Sequence, residues 1–115
     1  HLRLAARRDL EQVAAGECSA REAVVDGPQR LGVLLGRSGS TALTAAELPR
    51  IERLLAAIGE AAADFDVVVA DTAAGLGPLT LAVAERADLV LGVATPDVSA
   101  LTDAYALCKV LHQRG

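Results

Sequence analysis

The stretch Asp66-Val67-Val68-Val69-Ala70-Asp71-Thr72-Ala73-Ala74-Gly75-Leu76-Gly77-Pro78 decides how this chain reads. Its run of valines closed by Ala70 predicts a buried parallel strand over Val67 to Ala70, covered on both faces. Asp71 then falls at the carboxyl end of that strand, where open α/β sheets bind ligands. Gly75 and Gly77 let the backbone turn sharply, and Pro78 suits the first position of a following helix. A helix N-terminus aimed back at that crevice offers N–H groups and a positive dipole end to an anion. The segment therefore reads as a strand that delivers a carboxylate into a glycine-bearing loop, which is how a phosphate or Mg²⁺ site is built. A surface strand–helix connector whose Asp merely caps the helix fits the same local pattern, and the pattern alone does not separate the two.

Downstream, a helix from Pro78 to Arg86, a strand from Leu89 to Ala94 and a helix from Ser99 to His112 complete a βαβα unit with short connections, for which a right-handed parallel crossover is favoured. In the last helix Leu101, Ala104, Tyr105, Cys108 and Leu111 form a stripe at helical spacing, expected to cover the sheet with Cys108 as a packed thiol. Upstream, Leu31 to Leu35 reads as a short buried strand running into a second polar loop, Gly36-Arg37-Ser38-Gly39-Ser40. Leu48, Ile51, Leu54, Leu55 and Ile58 predict an amphipathic helix over residues 48–62. Its start is open between a Thr44/Glu47 capping box and a first turn set by Pro49. Leu10, Val13 and Ala14 share one face of a short helix ending near Gly16. Ala20 to Val25 reads as a further helical turn, and Asp26-Gly27-Pro28 as a turn. Alternating helical and strand periods without repeats or a linker predict an α/β fold, with residues 1–115 as a single domain.

Composition narrows the function classes. Among the 115 residues there is one Phe, one Tyr and no Trp, so aromatic platforms for stacking bases or sugars are nearly absent. A net charge of −4 argues against binding nucleic acid or anionic membranes by bulk electrostatics. Arg3, Arg7 and Arg8 form the one tight basic cluster, offset by Asp9 and Glu11. Cys18 and Cys108 lack metal-ligand spacing and read as two free thiols of a reducing compartment. No apolar run reaches the roughly 18 residues of a membrane span, and no signal peptide precedes the domain, which gives a cytosolic expectation. The chain begins at His1 rather than Met, so residues upstream are expected.

Three blocks carry a family resemblance: Asp64-Phe65-Asp66-Val67-Val68-Val69-Ala70-Asp71-Thr72-Ala73-Ala74-Gly75-Leu76, then Ala87-Asp88-Leu89-Val90-Leu91-Gly92-Val93-Ala94-Thr95-Pro96-Asp97, then Leu101-Thr102-Asp103-Ala104-Tyr105-Ala106-Leu107. In this order they resemble the MinD/ParA deviant-Walker P-loop ATPases, nearest to the flagellar-number regulator branch FlhG (FleN/YlxH). A weaker likeness extends upstream through Ala15-Gly16-Glu17-Cys18 and the segment Leu31 to Ser40. The resemblance implies part of a three-layer α/β/α, Rossmann-like P-loop NTPase fold with a mainly parallel sheet, in which this chain is the central portion of a larger ATPase domain.

Position by position, Asp71 matches the Walker B aspartate that holds Mg²⁺ through water, and Gly75 the switch II glycine beside the γ-phosphate of ATP. Asp103 matches an acidic position near the dimer face; the alternative is a solvated first-turn helix carboxylate interacting with the dipole. Thr95 and Pro96 match the turn after the next strand, with a structural role or a ligand contact both open. The resemblance further implies a homodimer in the ATP state and, as partners, the GTPase FlhF and flagellar basal-body or switch proteins. It places membrane attachment in a C-terminal amphipathic helix beyond Gly115, so the parent protein is expected to be cytoplasmic and peripheral at the inner membrane.

One departure governs mechanism. A P-loop needs G-x-x-x-x-G-K-[ST], because backbone N–H groups wrap the phosphates, Lys neutralises them and the hydroxyl ligates Mg²⁺. No such motif occurs, and the sole lysine is Lys109, within the last predicted helix. The loop Gly36 to Thr41 lacks a lysine and follows a strand that the resemblance places after the nucleotide loop. Either the Walker A segment lies in roughly fifty residues upstream, an estimate from βα unit sizes, or this is a degenerate, non-catalytic MinD-like interaction module of pilus, secretion or septum-site assembly. In both cases this chain contains no certain catalytic residue and is not expected to hydrolyse ATP alone, since transition-state charge finds no lysine or P-loop amides. A response-type α/β domain with Asp71 as phosphoacceptor ranks last, because it needs an acidic pair after a first strand and none is visible.

Overall fold

A computed structural model describes residues 7–37, 41–43 and 45–114. The chain divides into two compact units, residues 1–69 and 70–115.

The first unit is built on well-capped helices. Helix α1 (Leu10–Ala15) opens with a reciprocal capping box, in which Gln12 N–H donates to Asp9 Oδ1 at 3.0 Å and Asp9 N–H to Gln12 Oε1 at 3.1 Å. It closes at Gly16, whose φ of +78° lets the chain turn out of the helix while Glu17 N–H returns to Gln12 O. Helix α2 (Ala20–Ala23) repeats the device with Ser19 and Glu22.

The short helical turn read over Ala20 to Val25 is present as α2, but it stops at Ala23, and Val24 and Val25 enter strand β1 (Val24–Asp26). Both are β-branched and prefer a pleated surface to a helical turn. Strand β2 (Gly32–Leu34) lies within the predicted segment Leu31 to Leu35, but it pairs antiparallel with β1, Val25 opposite Val33. The hairpin closes through a turn in which Gln29 and Arg30 both take positive φ, +55° and +63°, the backbone of a type I′ turn.

Helix α3 (Leu48–Ala62) has the predicted bounds, with Glu47 as N-cap and Pro49 in the first turn. Thr44, the other candidate cap residue, lies outside the described residues. Ile51, Leu54 and Ala61 are buried on one side of α3, which packs against α1 and α2; Val13, Ala14, Ala20 and Ala23 complete the buried set. Each large aliphatic side chain buried there contributes about 1.5–3 kcal/mol. Arg21 fastens α2 to the end of α3 through Asp64 Oδ2 at 2.6 Å and the Glu60 carbonyl at 2.8 Å. Phe65 lies so close to Gly32 that a Cβ there would meet its ring at 2.5 Å.

The second unit contains α4 (Pro78–Ala84) and α5 (Val98–Arg114). Helix α4 is shorter than predicted because its end tightens into i→i−3 bonds, Arg86 N–H to Val83 O and Ala87 N–H to Ala84 O. Helix α5 runs slightly past the predicted Ser99 to His112 at both ends.

Two expectations are corrected. Val67 to Ala70 and Leu89 to Ala94 form no strand among the described residues, and both segments are exposed: Val69 is 87% and Val93 96% accessible. The described sheet is the two-stranded β1–β2 pair. A segment apolar on both faces is buried only when neighbouring strands take its backbone groups and helices cover both faces. No described segment does so for these two. For the same reason the α5 stripe covers no sheet: α5 has no buried residue, and Cys108 is an exposed thiol rather than a packed one.

Candidate functional site

In the second unit, the loop between Ala70 and α4 holds the residues that the sequence singled out. Asp71 lies at its start, exposed and outside any regular element, and its carboxylate has no hydrogen-bond or ion-pair partner among the described residues. Gly75 has φ +94°, in the left-handed region that side-chain-bearing residues avoid, and a Cβ there would point into open space. Its glycine identity is therefore a backbone requirement rather than a packing one.

Gly77 is the N-cap of α4 and its carbonyl accepts from Leu81 N–H at 3.0 Å. The buried Thr80 hydroxyl donates to Ala73 O at 3.2 Å and so ties the loop to the helix that follows it. Thr80 is not among the residues that the local sequence pattern singles out; its one mark is a lone hydroxyl in the apolar run Leu79 to Ala84.

Asp71 and Gly75 thus share one short loop, while Asp103 stands apart from it on α5. Asp103 is exposed and lies in the second turn, so the alternative of a first-turn dipole contact does not hold.

Thr95 and Asp97 have a structural task. The Thr95 hydroxyl donates to Asp97 Oδ2, and Asp97 Oδ1 accepts from Ala100 N–H at 2.9 Å, capping the start of α5. The Thr95 hydrogen bond, followed by the Ala100 amide, holds the Asp97 carboxyl below its ordinary range.

The second glycine-bearing loop is also tethered. Arg37 binds Asp9 Oδ2 through Nε and Nη2 at 3.1 and 2.8 Å, while its N–H donates to both oxygens of the buried Glu11 carboxylate. This pairing lowers the Asp9 pKa and raises that of Arg37. The described cation of this loop is therefore neutralised in place, and Ser38, Gly39 and Ser40 lie outside the described residues.

The Asp71 loop is open surface. Two cavities of about 390 Å³ lie elsewhere, one beside Arg50 and Arg53 at the start of α3 and one beside Glu85, Val90 and Arg114. Among the described residues no three His, Cys, Asp or Glu side chains gather as a metal cage. A single exposed carboxylate nevertheless suits Mg²⁺, which keeps several waters and takes one or two carboxylates plus substrate phosphates. No described helix is long and apolar enough to cross a membrane.

Over 112 residues, 97% of this chain, the sequence is 31% identical to the antiactivator FleN of Pseudomonas aeruginosa. The chain is related to the FlhG/MinD-like ATPases. A 46-residue stretch, 40% of the chain, is 50% identical to the flagellum site-determining protein YlxH of Helicobacter pylori. An uncharacterised ATP-binding protein of Methanocaldococcus jannaschii, MJ0547, is 26% identical over 106 residues, 92% of the chain. The chain spans 40% of the length of FleN, 39% of MJ0547 and 16% of YlxH in these matches. No protein-family model matches.

Proposed function

We propose that this chain carries the Walker B and switch II half of the nucleotide site of an FlhG-like ATPase that regulates flagellar number or placement. The observation that carries the reading is the loop itself, with a free, exposed carboxylate at Asp71 and a left-handed backbone at Gly75 four residues on. In this reading Asp71 holds Mg²⁺ through water and Gly75 lies beside the γ-phosphate of ATP. Within the complete protein, the apolar segments Val67 to Ala70 and Leu89 to Ala94, exposed in this chain, pair with further strands into a mainly parallel sheet of a three-layer α/β/α domain, which the α5 stripe then covers. Asp71 would hold Mg²⁺ through its water shell, and the ion would supply charge neutralisation for the nucleotide phosphates. This chain's residues orient it and leave room for the phosphate against the glycine backbone.

ATP binding closes a homodimer in which Asp103 lies near the shared face, and the closed form presents the surface read by FlhF or basal-body proteins. The complete protein is cytoplasmic and peripheral at the inner membrane. The similarity to FleN, YlxH and an ATP-binding protein supports the flagellar and nucleotide parts of this reading. Residues 1–115 contain no G-K-[ST] and one lysine, Lys109, so the chain by itself does not turn over ATP.

Calorimetric titration of Mg·ATP into the isolated chain and into the complete protein tests this division of labour. The complete protein is expected to bind and the isolated chain to show no saturable heat. Sub-micromolar binding by the chain alone would show that its site is self-sufficient. A complete protein that binds no ATP would instead favour a non-catalytic interaction module, the reading to which the missing Walker A lysine also lends itself.

A further inference from the structure

We propose that Thr80 is a positioning residue for the loop from Asp71 to Gly77, holding it in the shape that distinguishes a nucleoside triphosphate from a diphosphate. The inference rests on the nucleotide reading of that loop. Thr80 is the one polar side chain in α4 and is 8% exposed. A hydroxyl so placed must find a partner, and it finds one seven residues back, donating to the Ala73 carbonyl at 3.2 Å. That bond spans the turn in which Gly75 takes φ +94°.

Little else holds the turn from within. Nothing lies within 4 Å of where a Gly75 Cβ would be, and Gly77 offers no side chain to cap α4. The loop is held at its two ends, by Thr80 on Ala73 O and by Leu81 N–H on Gly77 O. The second bond is backbone and independent of side chain. The first depends on a single hydroxyl, so the position of the Gly75 backbone, the part read here as facing the terminal phosphate, is set by Thr80.

Serine retains the hydroxyl with less volume, valine retains the volume without the hydroxyl, and alanine retains neither. Affinities of the complete protein for ATP and ADP, each with Mg²⁺, are measured for wild type, Thr80→Ser, Thr80→Val and Thr80→Ala, with thermal unfolding as a folding control. Wild type and Thr80→Ser are expected to share the same preference for ATP over ADP. Thr80→Val and Thr80→Ala lose about three- to tenfold of it through weaker ATP binding, with ADP affinity unchanged. A preference that follows side-chain volume, with Val like wild type and Ser like Ala, overturns the proposal, as does a parallel loss of both nucleotides. Should Thr80→Val fail to fold, the Ser and Ala pair decides, and equal preferences for those two refute it. A wild type that binds both nucleotides equally also refutes it, whereas a wild type that binds neither defeats the nucleotide reading itself.

Discussion

The amphipathic helices of residues 1–69 bury their apolar faces, whereas the wholly apolar segments around residues 67–69 and 89–93 stay exposed, so the more hydrophobic sequence is the less buried. Ile51, Leu54 and Val13 are at most 2% exposed, while Val69 and Val93 stand almost wholly in solvent. The difference lies in what each needs from the rest of the chain. A helix satisfies its own backbone and requires one apolar neighbour, which α1 and α2 supply to α3 within about forty residues of sequence. A doubly buried strand requires backbone partners on its edges and cover on both faces.

The largest way to break this comparison is to truncate one residue from each region. Leu54→Ala is expected to destabilise the chain by about 2–5 kcal/mol in urea unfolding, whereas Val69→Ala and Val93→Ala stay within about 0.5 kcal/mol. Equal losses would mean that the exposed segments are packed in solution.

Two glycines give a smaller contrast. Gly32→Ala drives a Cβ into the Phe65 ring and toward Val24 Cγ1 at 3.1 Å, at a cost of about 1–3 kcal/mol. Gly92→Ala meets nothing within 4 Å and is expected to be neutral or to stabilise by up to about 1 kcal/mol through the unfolded chain. Urea midpoints of the two variants should therefore move apart.

The smallest effect is electrostatic. Asp9, held down first by the Arg37 side-chain hydrogen bond, and Asp97, held down first by the Thr95 hydroxyl, both have folded pKa values below the ordinary 3.8. Their contribution is present above that value and is lost as pH falls below about 4 through the lower folded values. Helical circular dichroism should accordingly decline on acidification, and the part due to α5 should vanish in Asp97→Asn. The first unit, which also rests on its buried core, should retain more of its helix than α5.

What the sequence disclosed follows the same division. Helix α3 was legible in its extent because Leu48, Ile51, Leu54, Leu55 and Ile58 keep a helical period, and its start, left open by the sequence, is the one that Pro49 favours. Gly16 announced the end of α1 by the same local logic. The β1–β2 hairpin was not legible, since Val24 and Val25 continue a helical-looking run and Gln29 and Arg30 are unusual residues for positive φ. For Val67 to Ala70 the apolar run predicts an appetite for burial, but burial itself depends on partners that no local pattern specifies. At the candidate site, Asp71 and Gly75 could be named from a carboxylate and glycines after a valine run. Thr80 is marked only as a lone hydroxyl in an apolar run; its partner is a carbonyl, which leaves no mark on residue type at Ala73. Asp97 stands at the end of a family block, while its capping of α5 shows only in the bond from the Ala100 amide.

The proposed ATPase site depends on the Asp71 carboxylate above any other side chain of this chain. Steady-state Mg²⁺-dependent ATP hydrolysis by the complete protein, wild type against Asp71→Asn, tests it most directly. The expected result is a loss of about 100-fold or more in turnover with the fold intact by circular dichroism. Turnover by Asp71→Asn at the wild-type rate would contradict it.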